Sequence, residues 1–247
     1  MNTAEYRAAK AQNYSALKHI LVSPAHYLAA LRSKTEETVP MRLGTMLHAW
    51  WLEGKEDLLG DAVVRPEGID GRTKEGKEWM AKHADKMVLT QDDWTQFLRR
   101  QAALKESRIA TDILSVCHKR ETPMFGEIDG VPVKALFDAH YDCGFLDLKT
   151  CQKNDPKSWG ETVIQRSYDF QTALYAEIWR QNHEGDPSFW WVTVSDDTTP
   201  VVAVYEREPF AAMGDDKLRQ AIAAYKALAE YGEQPLTAEM PFWARPR

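Results

Sequence analysis

Apolar positions along the chain change their period near residue 116. Before it, Leu17, Ile20, Leu21 and Leu28 recur at near-helical spacing over Ser15–Leu31, with Pro24 breaking or resetting the helix. Met41–Glu53 reads as a second helix, apolar at Met41, Met46, Leu47, Trp50 and Trp51. The Gly/Pro/Asp-rich stretch Arg65–Gly71 is a loop, and helices follow at Lys74–Lys86 and Asp92–Glu106. From Val116 the pattern is that of strands: Val116–Ile128, Val131–Asp142 and Phe145–Thr150, antiparallel through turns at Asp129–Gly130 and Cys143–Gly144. An Asp-Gly pair is what a tight hairpin prefers. Helices return at Pro156–Gln165 and Phe170–His183, then strands at Phe189–Val194 and Val201–Glu206, then a last helix at Pro209–Tyr231. The order, α-rich and then βββαββα, predicts an α/β fold: a central mixed β-sheet flanked by helices, with an N-terminal helical elaboration. The expected organisation is one unit over 1–247, with the elaboration at 1–115, the core at 116–232 and a C-terminal tail at 233–247.

Composition narrows the class. With 44% hydrophobic and 28% charged residues the 247-residue chain is ordinary globular material. It has no apolar run of the roughly 18 residues that a membrane span needs, so no membrane partner is expected. The N-terminal MNTAEYRAAKAQ lacks the apolar stretch of a secretory signal. Three scattered cysteines, Cys117, Cys143 and Cys151, make no disulfide framework, and a reducing, cytoplasmic home is expected. The net charge of -6 argues against bulk, unspecific nucleic-acid binding, yet it is unevenly spread. Residues 1–120 hold 19 Lys/Arg against 16 Asp/Glu, and residues 121–247 hold 12 against 21. Such a chain could meet phosphates on one face, or simply be solvated on both.

Candidate chemistry gathers on two strands. Asp138 follows the apolar Ala135-Leu136-Phe137, and Asp147 and Lys149 flank Leu148 on the next strand. Strand side chains alternate, so Asp147 and Lys149 share a face while Leu148 points to the core. Pairing through the Cys143–Gly144 turn would bring Asp138 towards Asp147. Two carboxylates with a lysine beside them suit a hard divalent cation and an activated water; the same residues also suit an exposed strand edge. Gln171 and Tyr175, four apart, share a helix face, either to hydrogen-bond a substrate or as half-buried packing. His48 stands in an otherwise apolar helix, where a histidine is usually a satisfied core residue, and Glu121 opens the first strand.

Taken in order, His48, Glu121, Asp138, Asp147-Leu148-Lys149 and Gln171-x-x-x-Tyr175 make the chain resemble the PD-(D/E)XK nuclease superfamily. More narrowly it is similar to the RecE (exonuclease VIII) branch. That narrower likeness rests on Tyr14-Ser15-Ala16-Leu17-Lys18, Ser23-Pro24-Ala25-His26-Tyr27, Arg42-x-Gly44-Thr45-x-x-His48 and Gly71-Arg72-Thr73-Lys74-Glu75-Gly76-Lys77. It spans roughly residues 14–180, and the C-terminal third carries no assignable motif.

The resemblance implies a metal-dependent exodeoxyribonuclease with a restriction-endonuclease-like core. Asp138, Asp147 and the Leu148 backbone carbonyl would bind Mg²⁺, with Mn²⁺ able to substitute. His48 and Glu121 would hold a second metal or complete the first set. Lys149 would position the attacking water, and Gln171 and Tyr175 would orient the cleaved strand. Glu127 competes with Glu121, which is preferred because Glu127 abuts the Asp129–Gly130 turn at the far end of its strand. The family further implies double-stranded DNA ends as substrate, 5′ to 3′ resection, a homo-oligomeric ring, a single-strand annealing protein as partner and a phage or prophage origin in a bacterial cytoplasm. Arg42 and Thr45, and the cationic loop of Arg72, Lys74 and Lys77, are candidate DNA contacts. That loop nearly spells a P-loop, but Glu78 stands where the Mg²⁺-binding Ser/Thr belongs, so no ATP is expected. Without a fourth cysteine no iron–sulfur cluster is expected. A structure-specific or flap endonuclease on the same core, and a catalytically silent DNA-binding protein, are the alternatives.

Overall fold

A computed structural model describes residues 3–33, 36–60 and 62–236. In chain order the elements are α1 (Thr3–Ala8), α2 (Tyr14–Leu17), α3 (Pro24–Arg32), α4 (Val39–Trp51), β1 (Ala62–Val64), α5 (Lys74–Lys82), β2 (Met87–Leu89), α6 (Gln91–Glu106) and α7 (Arg108–Val116). They continue with β3 (Lys119–Ile128), β4 (Val131–Tyr141), β5 (Gly144–Cys151), α8 (Pro156–Arg166), α9 (Tyr168–Asn182), β6 (Ser188–Ser195), β7 (Val202–Glu206), a 3₁₀ turn at Glu208–Phe210 and α10 (Ala211–Tyr231).

Helix starts are set locally. The side chains of Asn13, Ser23, Thr73, Thr90, Ser107 and Asp155 each accept a backbone N–H from the turn they precede. Ser23 and Pro24 together start α3, so the proline expected within Ser15–Leu31 divides that stretch into two helices. Two expectations shift. The first core strand begins at Lys119 and not Val116, because Arg108–Val116 is a helix capped by Ser107. The 1–115 elaboration is not wholly helical, because β1 and β2 pair in parallel from Ala62↔Met87 to Val64↔Leu89. Of the expected tail at 233–247, residues 237–247 lie outside the described residues.

The main sheet has the order β3-β4-β5-β6-β7, with β5 and β6 parallel and the other pairs antiparallel. It is therefore the mixed sheet flanked by helices that the sequence pattern predicts. One face packs Phe137, Phe145, Trp159, Trp179, Trp191 and Ile222 into a core under α8, α9 and α10. The other packs Leu146, Leu148, Val192 and Val194 against Leu43 and Leu47 of α4 and Phe97 and Leu104 of α6. Alternation along β5 sends Phe145 to the first core and Leu146 and Leu148 to the second. Among the described residues no helix is long and apolar enough to cross a membrane.

Candidate active site

The site lies where two strands part. β4 pairs with β3 along its length, but with β5 only through Ala139↔Leu146, His140↔Phe145 and Tyr141↔Gly144. Beyond that point β5 leaves β4, and Asp138 and Asp147 stand at the mouth of the fork. Leu148 still pairs with Val192 of β6, but on its β4 side the backbone has no strand partner. Its N–H donates instead to Asp138 Oδ2 at 2.8 Å, and its carbonyl accepts from His48 Nε2 at 3.0 Å. His48 reaches this point from α4, which is anchored by Leu43, Met46, Leu47 and Trp51 in the second core.

A break in strand alternation completes the group. Phe137 and His140 both meet the ring of Trp179 on α9, whereas between them Asp138 reaches His48 of α4 and Ala139 lies in the second core. Opposite them, Glu121 is bracketed by the pairs Arg120↔Ala139 and Thr122↔Phe137 and has φ +43°. A left-handed conformation at a non-glycine residue costs on the order of 1–3 kcal/mol. Its result here is that Glu121 faces Asp138 and His48. Nδ1 of His48 lies 3.6 Å from Asp138 Oδ2 and 4.0 Å from Glu121 Oε1. One ligand atom from each of the three residues falls within 4.8 Å of the others.

These residues fit a divalent cation. A carbonyl only accepts, so His48 Nε2 carries the proton of that hydrogen bond, and in the neutral ring Nδ1 presents a lone pair to two carboxylates. Three acceptors then converge, as a hard or borderline cation requires. Electrostatics agree: burial, reinforced by the Asp138 and Glu53 charges, pushes the Glu121 carboxyl up to about 8. A positive charge among these atoms would reverse that shift. Glu127, by contrast, is exposed at the other end of β3, where its backbone bonds to Gln181.

Asp147, Lys149 and Gln171 form a second group on the α9 side of β5. Asp147 is 4% exposed, accepts from Gln171 Nε2 at 2.9 Å on Oδ1, and pairs with Lys149 through Oδ2. Burial, partly offset by Lys149, raises its carboxyl to about 6. Lys149 also sits 4.9 Å from the Tyr168 ring centre. Burial opposes its charge, but Asp147 and other nearby acidic groups more than compensate, so its pKa rises above the ordinary lysine value. Asp147 is therefore engaged with Gln171 and Lys149 and is not one of the three convergent ligands. Tyr175 is half-buried behind this group, its ring 4.9 Å from that of Phe137, and desolvation drives its hydroxyl pKa upward.

A cleft of about 780 Å³ opens over both groups, lined by His48, Glu121, Leu148 and Lys149. Its walls carry Arg7, Lys55, Arg166 and Tyr168, which the motif-based reading passed over. The signal available for Arg166 and Tyr168 was their place at the junction where α8 ends and the Gln171 helix begins. Among the candidate DNA contacts, Thr45 lines the cleft, while Arg42, Arg72, Lys74 and Lys77 do not. Arg42 pairs with Glu37 at 2.9 Å, and Arg72 bonds to Asp70. Lys74 stands 4.0 Å from Glu78, and Lys77 is exposed on α5.

Comparison with known proteins places the chain in context. Residues 13–241 match the family described as a PDDEXK-like domain of unknown function (DUF3799). The fold is similar to the crystal structure described as "Putative exonuclease" from Eubacterium rectale, with a TM-score of 0.65 and 14% sequence identity over 98% of this chain and 96% of that one. No curated protein matches the sequence.

Proposed function

The chain belongs to the PDDEXK-like domain family, and on that premise we propose that it is a divalent-metal-dependent exodeoxyribonuclease acting on the ends of double-stranded DNA. The observation that carries this reading is the convergence of His48, Glu121 and Asp138 in the β4–β5 fork, one peptide from Lys149 and under a cleft walled by arginines. Mg²⁺, with Mn²⁺ as a substitute, is the proposed cofactor. His48, Glu121 and Asp138 would hold it, with Asp147 and the Leu148 carbonyl as the further ligands implied by the family motif. When bound, such a cation neutralises phosphate charge and makes water more acidic.

The protein's own groups do the rest. Lys149, kept protonated by Asp147, acts as a fixed positive charge that orients a water and faces the charge developing on the phosphate. It is not a base at neutral pH, since its proton is held more tightly than in free lysine. Gln171 fixes Asp147, and through it the Lys149 ammonium, while Tyr175 packs behind both against Phe137. Arg7 and Arg166 in the wall offer donors for the backbone phosphates, whereas the Thr45 hydroxyl donates to the Met41 carbonyl at 3.1 Å and faces the cleft as an acceptor.

Degradation from the 5′ end, leaving a 3′ single strand for an annealing protein, follows the RecE resemblance, as do the ring assembly and a bacterial cytoplasmic setting. Linear duplex labelled at the 5′ or the 3′ end, with a closed circle as control, tests these points. Early release of the 5′ label with the circle intact is expected. Cutting of the circle would favour a structure-specific endonuclease, and DNA binding without cleavage in Mg²⁺ or Mn²⁺ a silent DNA-binding protein.

A further inference from the structure

Lys134, on β4, is 6% exposed, and burial pulls its pKa below the ordinary lysine value with no carboxylate to offset it. Its Nζ donates to the carbonyls of Tyr6 at 2.7 Å and Ala9 at 2.8 Å, and lies 4.8 Å from the Tyr6 ring centre. These carbonyls belong to the last turn of α1 and the residue just past it, where acceptors lack helical partners and a cation is favoured. A buried lysine in a strand is a poor choice for the sheet alone. What it secures is the helix above it.

A second observation ties the same segment down. Because β5 leaves β4, the β4 edge is open at Pro132–Lys134, and Gln12 occupies it as a parallel bridge to Val133. Gln12 N–H donates to Pro132 O at 2.8 Å, and Lys134 N–H donates to Gln12 O at 2.8 Å. The Gln12 side chain accepts from Tyr27 and donates to Tyr225, fixing it to α3 and α10. Arg7 follows Tyr6 within this clamped segment. It is exposed and lines the cleft with His48, Glu121 and Lys149.

We propose that Lys134 is a positioning residue that holds α1 so that the Arg7 guanidinium contacts a backbone phosphate of DNA in the cleft. This rests on the nuclease reading. Lys134 does not touch substrate itself; it acts by fixing the helix end from which Arg7 projects. Arg7 is suited to the contact because a planar guanidinium donates two parallel hydrogen bonds to phosphate oxygens.

The test uses Lys134→Met, Arg7→Ala and the double variant. Binding of a short fluorescein-labelled duplex is measured in EDTA across a salt series, and steady-state cleavage in Mg²⁺ gives KM and kcat. Each single variant should weaken binding and raise KM by about tenfold, the loss of one charge-assisted contact. Each should also lower the slope of log affinity against log salt by about 1, with kcat unchanged. The double variant should be no weaker than Arg7→Ala, because both changes remove one contact. Undiminished affinity in Lys134→Met, or losses that multiply in the double variant, would overturn the proposal. If circular dichroism shows Lys134→Met to be poorly folded, Lys134→Leu carries the same comparison, with Lys134→Gln, which retains an amide donor, expected to fall between it and the wild type. A wild-type protein that neither binds nor cuts DNA would remove the nuclease reading itself, whereas wild-type binding that ignores Lys134 would remove only this inference.

Discussion

Glu121 connects the site's geometry to solution behaviour. Its carboxyl is pushed up from 4.5 to about 8, chiefly by burial and then by the Asp138 charge. Between those values the folded chain holds a proton that the unfolded chain has released. Stability from this group is therefore full below pH 4.5 and is lost as pH rises towards 8. A divalent cation prefers the ionised form, so its stabilisation grows across the same window. Thermal unfolding with and without Mg²⁺ should show a larger Tm increase at pH 8 than at pH 6, and Glu121→Gln should flatten both the metal effect and its pH dependence. An equal Mg²⁺ effect at both pH values in the wild type would count against Glu121 as a ligand. The residue types were legible in the sequence because Asp-x-Lys on a strand fixes two side chains to one face. The contact of His48 with the Leu148 carbonyl was not, since it spans 100 residues, and neither was the αL turn at Glu121. Strict alternation would have sent Asp138 and Ala139 to opposite faces, and the strand distortion that brings Asp138 to His48 while Ala139 lies in the second core leaves no local mark.

At the scale of elements, the sheet and its helices were largely readable, because long periodic segments such as β4, α6 and α9 declare themselves. The three-residue β1 and β2 were too short to show a period. α7 was missed because Ile113, Leu114 and Val116 run into the first strand without a breaker. The end of α9 that presents Gln171 is held by a contact absent from any motif. Asp169 is fully buried and pairs with Lys217 of α10 at 2.7 Å, and Gly214 lets α10 approach so closely that a Cβ there would sit 2.2 Å from the Asp169 carbonyl oxygen. Lys217→Met should cost about 3 kcal/mol, since it strands a buried carboxylate. Adding Asp169→Asn should restore much of that loss. Urea unfolding of the two variants decides the matter, and a double variant as unstable as the single one would show that the packing, not the charge, is what matters.

Over the whole molecule, the acidic balance lies in the second half of the chain, while the cleft wall carries Arg7 and Arg166, one from each half, beside Lys55 paired with Glu53 and Lys149 paired with Asp147. A net charge of -6 with a local basic wall favours a substrate held in one place over a surface coated with DNA. The proposed ring makes a separate prediction: light scattering after size exclusion should give a mass several times that of one chain, and a monomer at working concentration would contradict it without touching the site. The central claim is that the β4–β5 fork is a metal-dependent nuclease centre. The most direct test is release of acid-soluble nucleotides from linear duplex DNA in Mg²⁺, in EDTA, and by Lys149→Ala in Mg²⁺. The account predicts steady release by the wild type in Mg²⁺, none in EDTA, and a rate lowered by about 10²–10³ in the variant, as when one preorganised charge-stabilising group is removed. Release that persists in EDTA, or that Lys149→Ala leaves at the wild-type rate, would contradict it.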